Sequence, residues 1–254
     1  MKELHLPTFR ESYEPLARRA EQETLSYEQY LLELSQRECQ VRRANRIERL
    51  LRQSRLPLEK DLASFDLKRL PAKVARQVRT LLQGDFVDRR ENLLVFGKSG
   101  SGKTHLLSAL GQELVRSGRK VYFSTCSLLV QDLLIAKRDL KLSRVLKRLA
   151  GFEALVIDDI GYVQQSREEM EVLFTFLAER YERRSVVITS NLVFSQWDQI
   201  FKDPLTTAAA IDRVVHHSLI IEFGPDMTSV RAEEAACRNR ITFGGSSPAP
   251  DAEK

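Results

Sequence analysis

Three short stretches hold residue types that could do chemistry together. The run Gly97-Lys98-Ser99-Gly100-Ser101-Gly102-Lys103-Thr104 directly follows the apolar segment Leu93 to Phe96. Its glycines allow a loop to curl until backbone amides face phosphate oxygens, and a helix starting near Thr104 adds the positive end of its dipole. In such a P-loop the Lys103 ammonium reaches the β- and γ-phosphates and the Thr104 hydroxyl ligates Mg²⁺. An ordinary glycine-rich turn is the alternative, but the strand, loop and helix context is the one the phosphate motif requires. The second stretch, Leu155-Val156-Ile157-Asp158-Asp159, is an apolar strand with two carboxylates at its carboxyl end, where ligands bind in open α/β sheets. There Asp158 would hold Mg²⁺ through its water shell and Asp159 would orient the attacking water. The third, Val186 to Asn191, ends in polar residues, and Asn191 could contact that water or the γ-phosphate.

Elements that could position these groups follow from the surrounding pattern. From Asn92 onward, strand-sized apolar runs at Leu93 to Phe96, Lys120 to Ser124, Ala154 to Ile157, Ser185 to Thr189 and Ser218 to Phe223 alternate with helical stretches. That alternation predicts a parallel five-stranded sheet covered by helices on both faces. Ahead of it, Thr8 with Glu11 and Ser26 with Gln29 have capping-box spacing and predict two helix starts. The second helix carries Tyr27, Tyr30, Leu34, Val41, Ala44, Ile47 and Leu51 at mostly helical spacing, beside a basic stripe of Arg42, Arg46, Arg49 and Arg52. Pro57 disfavours helical geometry at Leu56 and should stop that helix. The predicted organisation is a helical domain over 1–56, a linker with a lead-in helix over 57–91, an α/β domain over 92–243 and a disordered Gly/Ser/Pro-rich tail over 244–254.

Composition narrows the function classes. The 254 residues are 43% hydrophobic and 30% charged with a net charge of +5, which excludes a fibrous or largely disordered chain. The apolar stretches are too short for a membrane-spanning helix, and the amino terminus has acids where a secretory signal needs a basic and then an apolar region. Cys39, Cys126 and Cys237 lack paired spacing and read as reduced thiols of a cytoplasmic protein. The charge is unevenly spread. Residues 1–36 hold four basic residues against seven glutamates, whereas residues 37–55 hold seven arginines against two glutamates.

These motifs together resemble the AAA+ ATPases of the initiator and helicase-loader group, and within it the IstB-like transposition helper ATPases. The resemblance extends from about Tyr27 to Arg231. Its more specific carriers are Tyr30 to Leu34, Ser64-Phe65-Asp66, His105-Leu106 after the P-loop, Asp158 to Tyr162, Glu179 to Arg183, Thr189-Ser190-Asn191, Phe194 to Trp197 and Asp212 to His217. It implies a P-loop AAA+ core behind a small helical domain, binding Mg²⁺ and ATP through the P-loop, with His105 among the ATP-binding residues. It also implies that Arg213 completes a neighbouring subunit's site and that Arg231 senses nucleotide within its own subunit. Two departures stand out: Asp159 occupies a position where a glutamate is usual, and the string between Gly224 and Arg231 is longer than the family's. The shorter Asp159 side chain implies slow turnover.

Within the ATPase region an extended helical insertion is predicted over Ser127 to Ala150. Its Lys137, Arg138, Lys141, Arg144, Lys147 and Arg148 face only Asp139, while Leu142, Val145, Leu146 and Leu149 form the apolar side. With Arg42, Arg43, Arg46, Arg49 and Arg52 this makes two basic surfaces without interleaved aromatics, a pattern for phosphate contact without sequence readout. The resulting expectation is an ATP hydrolase that assembles as a homo-oligomer on duplex DNA and regulates a separate transposase. A DnaC-like replicative helicase loader is the alternative. His105, His216 and His217 lack a further ligand at suitable spacing and read as polar or packing contacts near the nucleotide site. Trp197 reads as core.

Overall fold

The computed structural model describes residues 4–161, 166–192, 196–197 and 214–224. Arg213, Arg231 and the tail lie outside the described residues, as do Tyr162, Phe194, Phe201 and Cys237. The chain divides into two compact units, Met1–Gln53 and Ser54–Lys254.

The first unit is an antiparallel helical hairpin of α1 (Pro7–Gln22) and α2 (Tyr27–Ser54). Ser26 and Gln29 form the expected reciprocal cap on α2: the Ser26 amide donates to Gln29 Oε1 at 2.9 Å and the Gln29 amide to Ser26 Oγ at 3.3 Å. The expected Thr8 cap of α1 does not form. Pro7 opens that helix, and Glu38 of α2 accepts from the Thr8 and Phe9 amides at 2.9 and 3.2 Å, placing a carboxylate at the positive end of α1. Arg19 forks onto Glu33 with bonds of 2.9 and 3.1 Å, fastening the other end of the hairpin. Of the apolar stripe expected on α2, only Leu34 is buried, and Tyr27 and Val41 are exposed.

In the second unit Arg55, with φ of 58°, ends α2 ahead of Pro57. Residues 56–66 then run as a strap over α5 (Lys103–Arg116). Leu56 packs at Gly111, and Gln112 Nε2 donates to the Pro57 and Lys60 carbonyls, each at 3.1 Å. After a short 3₁₀ turn capped by Asp66 come α3 (Ala72–Leu81) and α4 (Asp85–Asp88).

The sheet contains β1 (Asn92–Phe96), β2 (Val121–Thr125), β3 (Ala154–Ile160), β4 (Ser185–Ser190) and β5 (Ser218–Glu222), in the order β2-β3-β4-β1-β5 and all parallel. Leu94, Phe96, Leu155, Ile157, Val186 and Ile188 occupy alternate strand positions and share one core cluster with α6 (Cys126–Arg138), α7 (Leu142–Ala150) and α8 (Arg167–Arg180). Trp197 belongs to that core, its ring edge-on to Phe96. Helix α5 contacts β2, β3 and β4 with buried residues outside this cluster, so helices cover both faces of the sheet. The expected helical insertion consists of two helices. They break at Asp139-Leu140-Lys141, where Leu140 has φ of 58° and is 93% exposed.

Candidate functional site

Strand β1 is wholly buried and ends at Phe96, so the P-loop emerges at the carboxyl edge of the sheet. Gly97 is where Phe223 closes in: a Cβ there would sit 2.7 Å from the Phe223 Cβ, which excludes a side chain. Gly102 caps α5 in the left-handed region, with φ of 94°. Lys103 is 7% exposed and folds back over the loop, its Nζ donating to the Gly97 carbonyl at 2.7 Å and the Lys98 carbonyl at 2.9 Å. Lys98, Ser99 and Gly100 complete the rim, with Gly100 at φ of 79°.

The acidic pair enters this rim from β3, two strands away across β4. Ile157 pairs with Ile188 and Ile160 with Ser190, so Asp158 and Asp159 together stand opposite the single residue Thr189, a β-bulge. Asp158 points inward and is 7% exposed; Asp159 is exposed with φ of 69°, a left-handed conformation that aspartate tolerates better than most side chains. Two hydroxyls hold the Asp158 carboxylate. Thr104 Oγ1 lies 2.9 and 3.1 Å from its two oxygens, and Thr189 Oγ1 donates to Oδ1 at 2.7 Å. Thr189 Oγ1 in turn accepts from the Asp159 amide at 2.7 Å.

The donor set fits a nucleoside triphosphate with a hard cation: a lysine, a hydroxyl paired with a carboxylate, and a glycine-shaped loop at a helix start. Two buried polar atoms near it, Ser101 Oγ and Asn191 Oδ1, have no hydrogen-bond partner among the described residues, which is what groups awaiting phosphate or water look like. His105, one residue past Thr104, faces the strap instead. Its Nε2 lies 3.0 Å from the Asp61 carbonyl and 3.2 Å from Ser64 Oγ, and Phe65 stacks edge-on at 5.1 Å. Thr189 is the residue the motif reading missed, because a hydroxyl inside a strand has no spacing signature. His216 and His217 are a correction: they precede β5, and the His217 carbonyl accepts from Asn92 at the amino end of β1, the sheet edge opposite the P-loop.

Both basic surfaces are present within their own units. Arg42, Arg43, Arg46, Arg49 and Arg52 are exposed, though Arg42 also binds Glu38 at 2.7 Å and the His5 carbonyl, and Arg52 lies 3.7 Å from Glu48. Arg138, Lys141, Arg144, Lys147 and Arg148 are exposed around the α6–α7 turn, with the Lys141 ammonium 3.3 Å from Asp139. Lys137 is half-buried and paired with Glu171 at 2.8 Å, which makes it the least available of the set.

A P-loop at the end of β1, an acidic pair on β3 and a 2-3-4-1-5 parallel sheet define a P-loop ATP-binding protein of the AAA+ class. The fold matches that of the DnaC helicase loader (TM-score 0.54, 18% identity, 66% of this chain and 98% of that one). It also matches AMPPCP-bound DnaA from Aquifex aeolicus (TM-score 0.55, 18% identity, 74% of this chain and 57% of that one). The chain belongs to the IstB-like ATP-binding protein family, whose profile matches residues 1–236. An insertion sequence ATP-binding protein of Sinorhizobium fredii is 36% identical over 241 residues, covering 94% of this chain and 81% of that protein. The ATP-binding protein of insertion sequence IS21 from Pseudomonas aeruginosa is 38% identical over 205 residues, covering 81% and 77%. Among the described residues no helix is long and apolar enough to cross a membrane.

Proposed function

We propose that the protein is a cytoplasmic, nucleoid-associated AAA+ ATPase of DNA transposition. It assembles on duplex DNA when ATP is bound, presents that DNA to a separate transposase, and disassembles on hydrolysis. The observation that carries the catalytic part is the hydroxyl-carboxylate chain Thr104, Asp158, Thr189 and Asp159 at the mouth of the P-loop. The insertion-sequence relatives carry the biological part.

In this reading the amides from Gly97 to Thr104 cradle the phosphates, and Lys103 swings from its loop carbonyls onto the β- and γ-oxygens. Thr104 and Asp158 hold Mg²⁺, which when bound supplies positive charge to the β- and γ-phosphates. Asp159 accepts a hydrogen bond from the attacking water and Asn191 aligns that water against the γ-phosphate. Arg213 stabilises transition-state charge in the neighbouring subunit, and Arg231 reports nucleotide within its own. His105 braces the P-loop helix against the strap. The α2 arginines and the basic α6–α7 turn contact DNA phosphates, so binding tolerates any sequence. Hydrolysis is slow, timed to assembly and release.

The test is duplex binding by fluorescence anisotropy with ATP, on two unrelated sequences over a range of salt. Similar affinities and a steep loss with salt, with a log-log slope of about −0.9 per phosphate contact, are expected. A strong preference for one sequence, or for single strands as a helicase loader would show, contradicts this reading.

A further inference from the structure

At the amino edge of the sheet, three side chains from distant parts of the sequence converge. Glu182 lies in the turn after α8, and His216 and His217 lie just ahead of β5. The two imidazoles meet edge to face with centroids 4.2 Å apart, and His217 Nε2 is 3.6 Å from Glu182 Oε1. One ligand atom from each of the three lies within 4.8 Å of the other two. The Tyr181 hydroxyl is 3.1 Å from His216 Nδ1. The turn is set by its backbone: Glu182 has φ of 56°, and its carbonyl accepts from Arg90 Nη1 at 3.2 Å. Arg183 is engaged elsewhere, with Glu179 at 3.2 Å.

An ion pair needs one imidazole and one carboxylate. The second imidazole, packed against the first and with a ligand atom within 4.8 Å of the carboxylate's, goes beyond what an ion pair uses. Two imidazoles and one carboxylate are instead a donor set for a borderline divalent transition metal. We propose that Glu182, His216 and His217 form a zinc-class metal site, with water in the fourth position, separate from the nucleotide site. Tetrahedral zinc with bonds of about 2.0–2.1 Å to nitrogen needs ligand atoms roughly 3.3 Å apart. All three side chains are exposed, which leaves their χ angles free of core packing to close the present separations. The Tyr181 hydroxyl on Nδ1 leaves Nε2 of His216 to the metal, as outer-shell partners of metal-bound histidines do.

The experiment uses tag-free, metal-stripped full-length protein titrated with Zn²⁺ by calorimetry and with Co²⁺ by visible absorption. One ion per chain is expected. Affinity should fall at least about tenfold in Glu182→Gln and further in the double variant His216→Ala/His217→Ala, with circular dichroism and MgATP binding unchanged. Lys103→Ala should bind Zn²⁺ like the wild type. Absence of stoichiometric Zn²⁺ binding, affinity unchanged in the variants, or loss only when Cys39, Cys126 and Cys237 become serine would each overturn the site.

Discussion

The Thr189 hydroxyl joins the two acidic residues of the site: it donates to Asp158 Oδ1 and accepts from the Asp159 amide, both at 2.7 Å. The bulge in β3 makes this possible by setting two residues against one. One buried hydroxyl thereby fixes the Asp158 carboxylate facing Thr104 and the backbone from which Asp159 projects.

Removing that hydroxyl while keeping the side-chain shape isolates its role. Thr189→Val should lower steady-state phosphate release by about ten- to a hundredfold, the range for a residue that orients a metal ligand, while Thr189→Ser keeps most of the activity. Equal rates in Val and Ser variants would show that the hydroxyl does not position the pair.

Asp159→Asn keeps the size and the left-handed backbone but loses the charge that draws on the attacking water. Turnover should fall by about a hundredfold or more with nucleotide affinity retained, as for loss of a general base. A fluorescent ATP analogue and single-turnover hydrolysis separate the two quantities, and undiminished hydrolysis would remove Asp159 from the role.

Arg180 is 2% exposed, and its guanidinium donates to the carbonyls of Leu149, Phe152, Glu153 and Ser185 at 2.9–3.5 Å, tying α7 and β4 to α8. Burial, with Arg184 adding to it, pushes its pKa down to about 9, still high enough to stay charged at neutral pH. Arg180→Met removes the guanidinium from all four carbonyls, of which those of Leu149 and Glu153 keep the backbone amides of Phe152 and Ser185, and should cost about 3 kcal/mol of stability, read from urea unfolding of the full chain. An unchanged midpoint would contradict this.

Glu38 makes the amino-terminal hairpin sensitive to acid. Burial works to raise its pKa, but the Arg42 bond and the amides of Phe9 and Thr8 outweigh it, leaving it below the ordinary 4.5. A carboxylate with a depressed folded pKa contributes stability that is complete above its unfolded value and lost as pH falls through the folded one. Helicity of the full chain should therefore drop below about pH 4.5, and Glu38→Gln should start lower and lose less in that window. Identical acid profiles would show that the cap contributes nothing.

Much of the nucleotide-binding unit is legible in the chain. Parallel strands buried on both faces read as continuous apolar runs, and the five runs fall within a few residues of the five strands. The P-loop announces itself because only that glycine spacing makes the cradle. What stayed hidden depends on long-range partners. Glu38 caps α1 from about thirty residues away, Glu182 joins two histidines more than thirty positions on, and the bulge facing Thr189 is a matter of strand register. The break between α6 and α7 carries no marker, because Asp139-Leu140 contains neither glycine nor proline, and a leucine with positive φ has no signature in sequence.

ATP-driven assembly on duplex DNA can be read as particle mass by multi-angle light scattering. Wild type and Lys103→Ala would be mixed with duplex or single-stranded DNA, each with ATP and Mg²⁺ or without nucleotide. Large assemblies are expected only for wild type with both ATP and duplex. Monomers under every condition, or assembly that is indifferent to nucleotide and to Lys103, would rule out ATP-driven assembly.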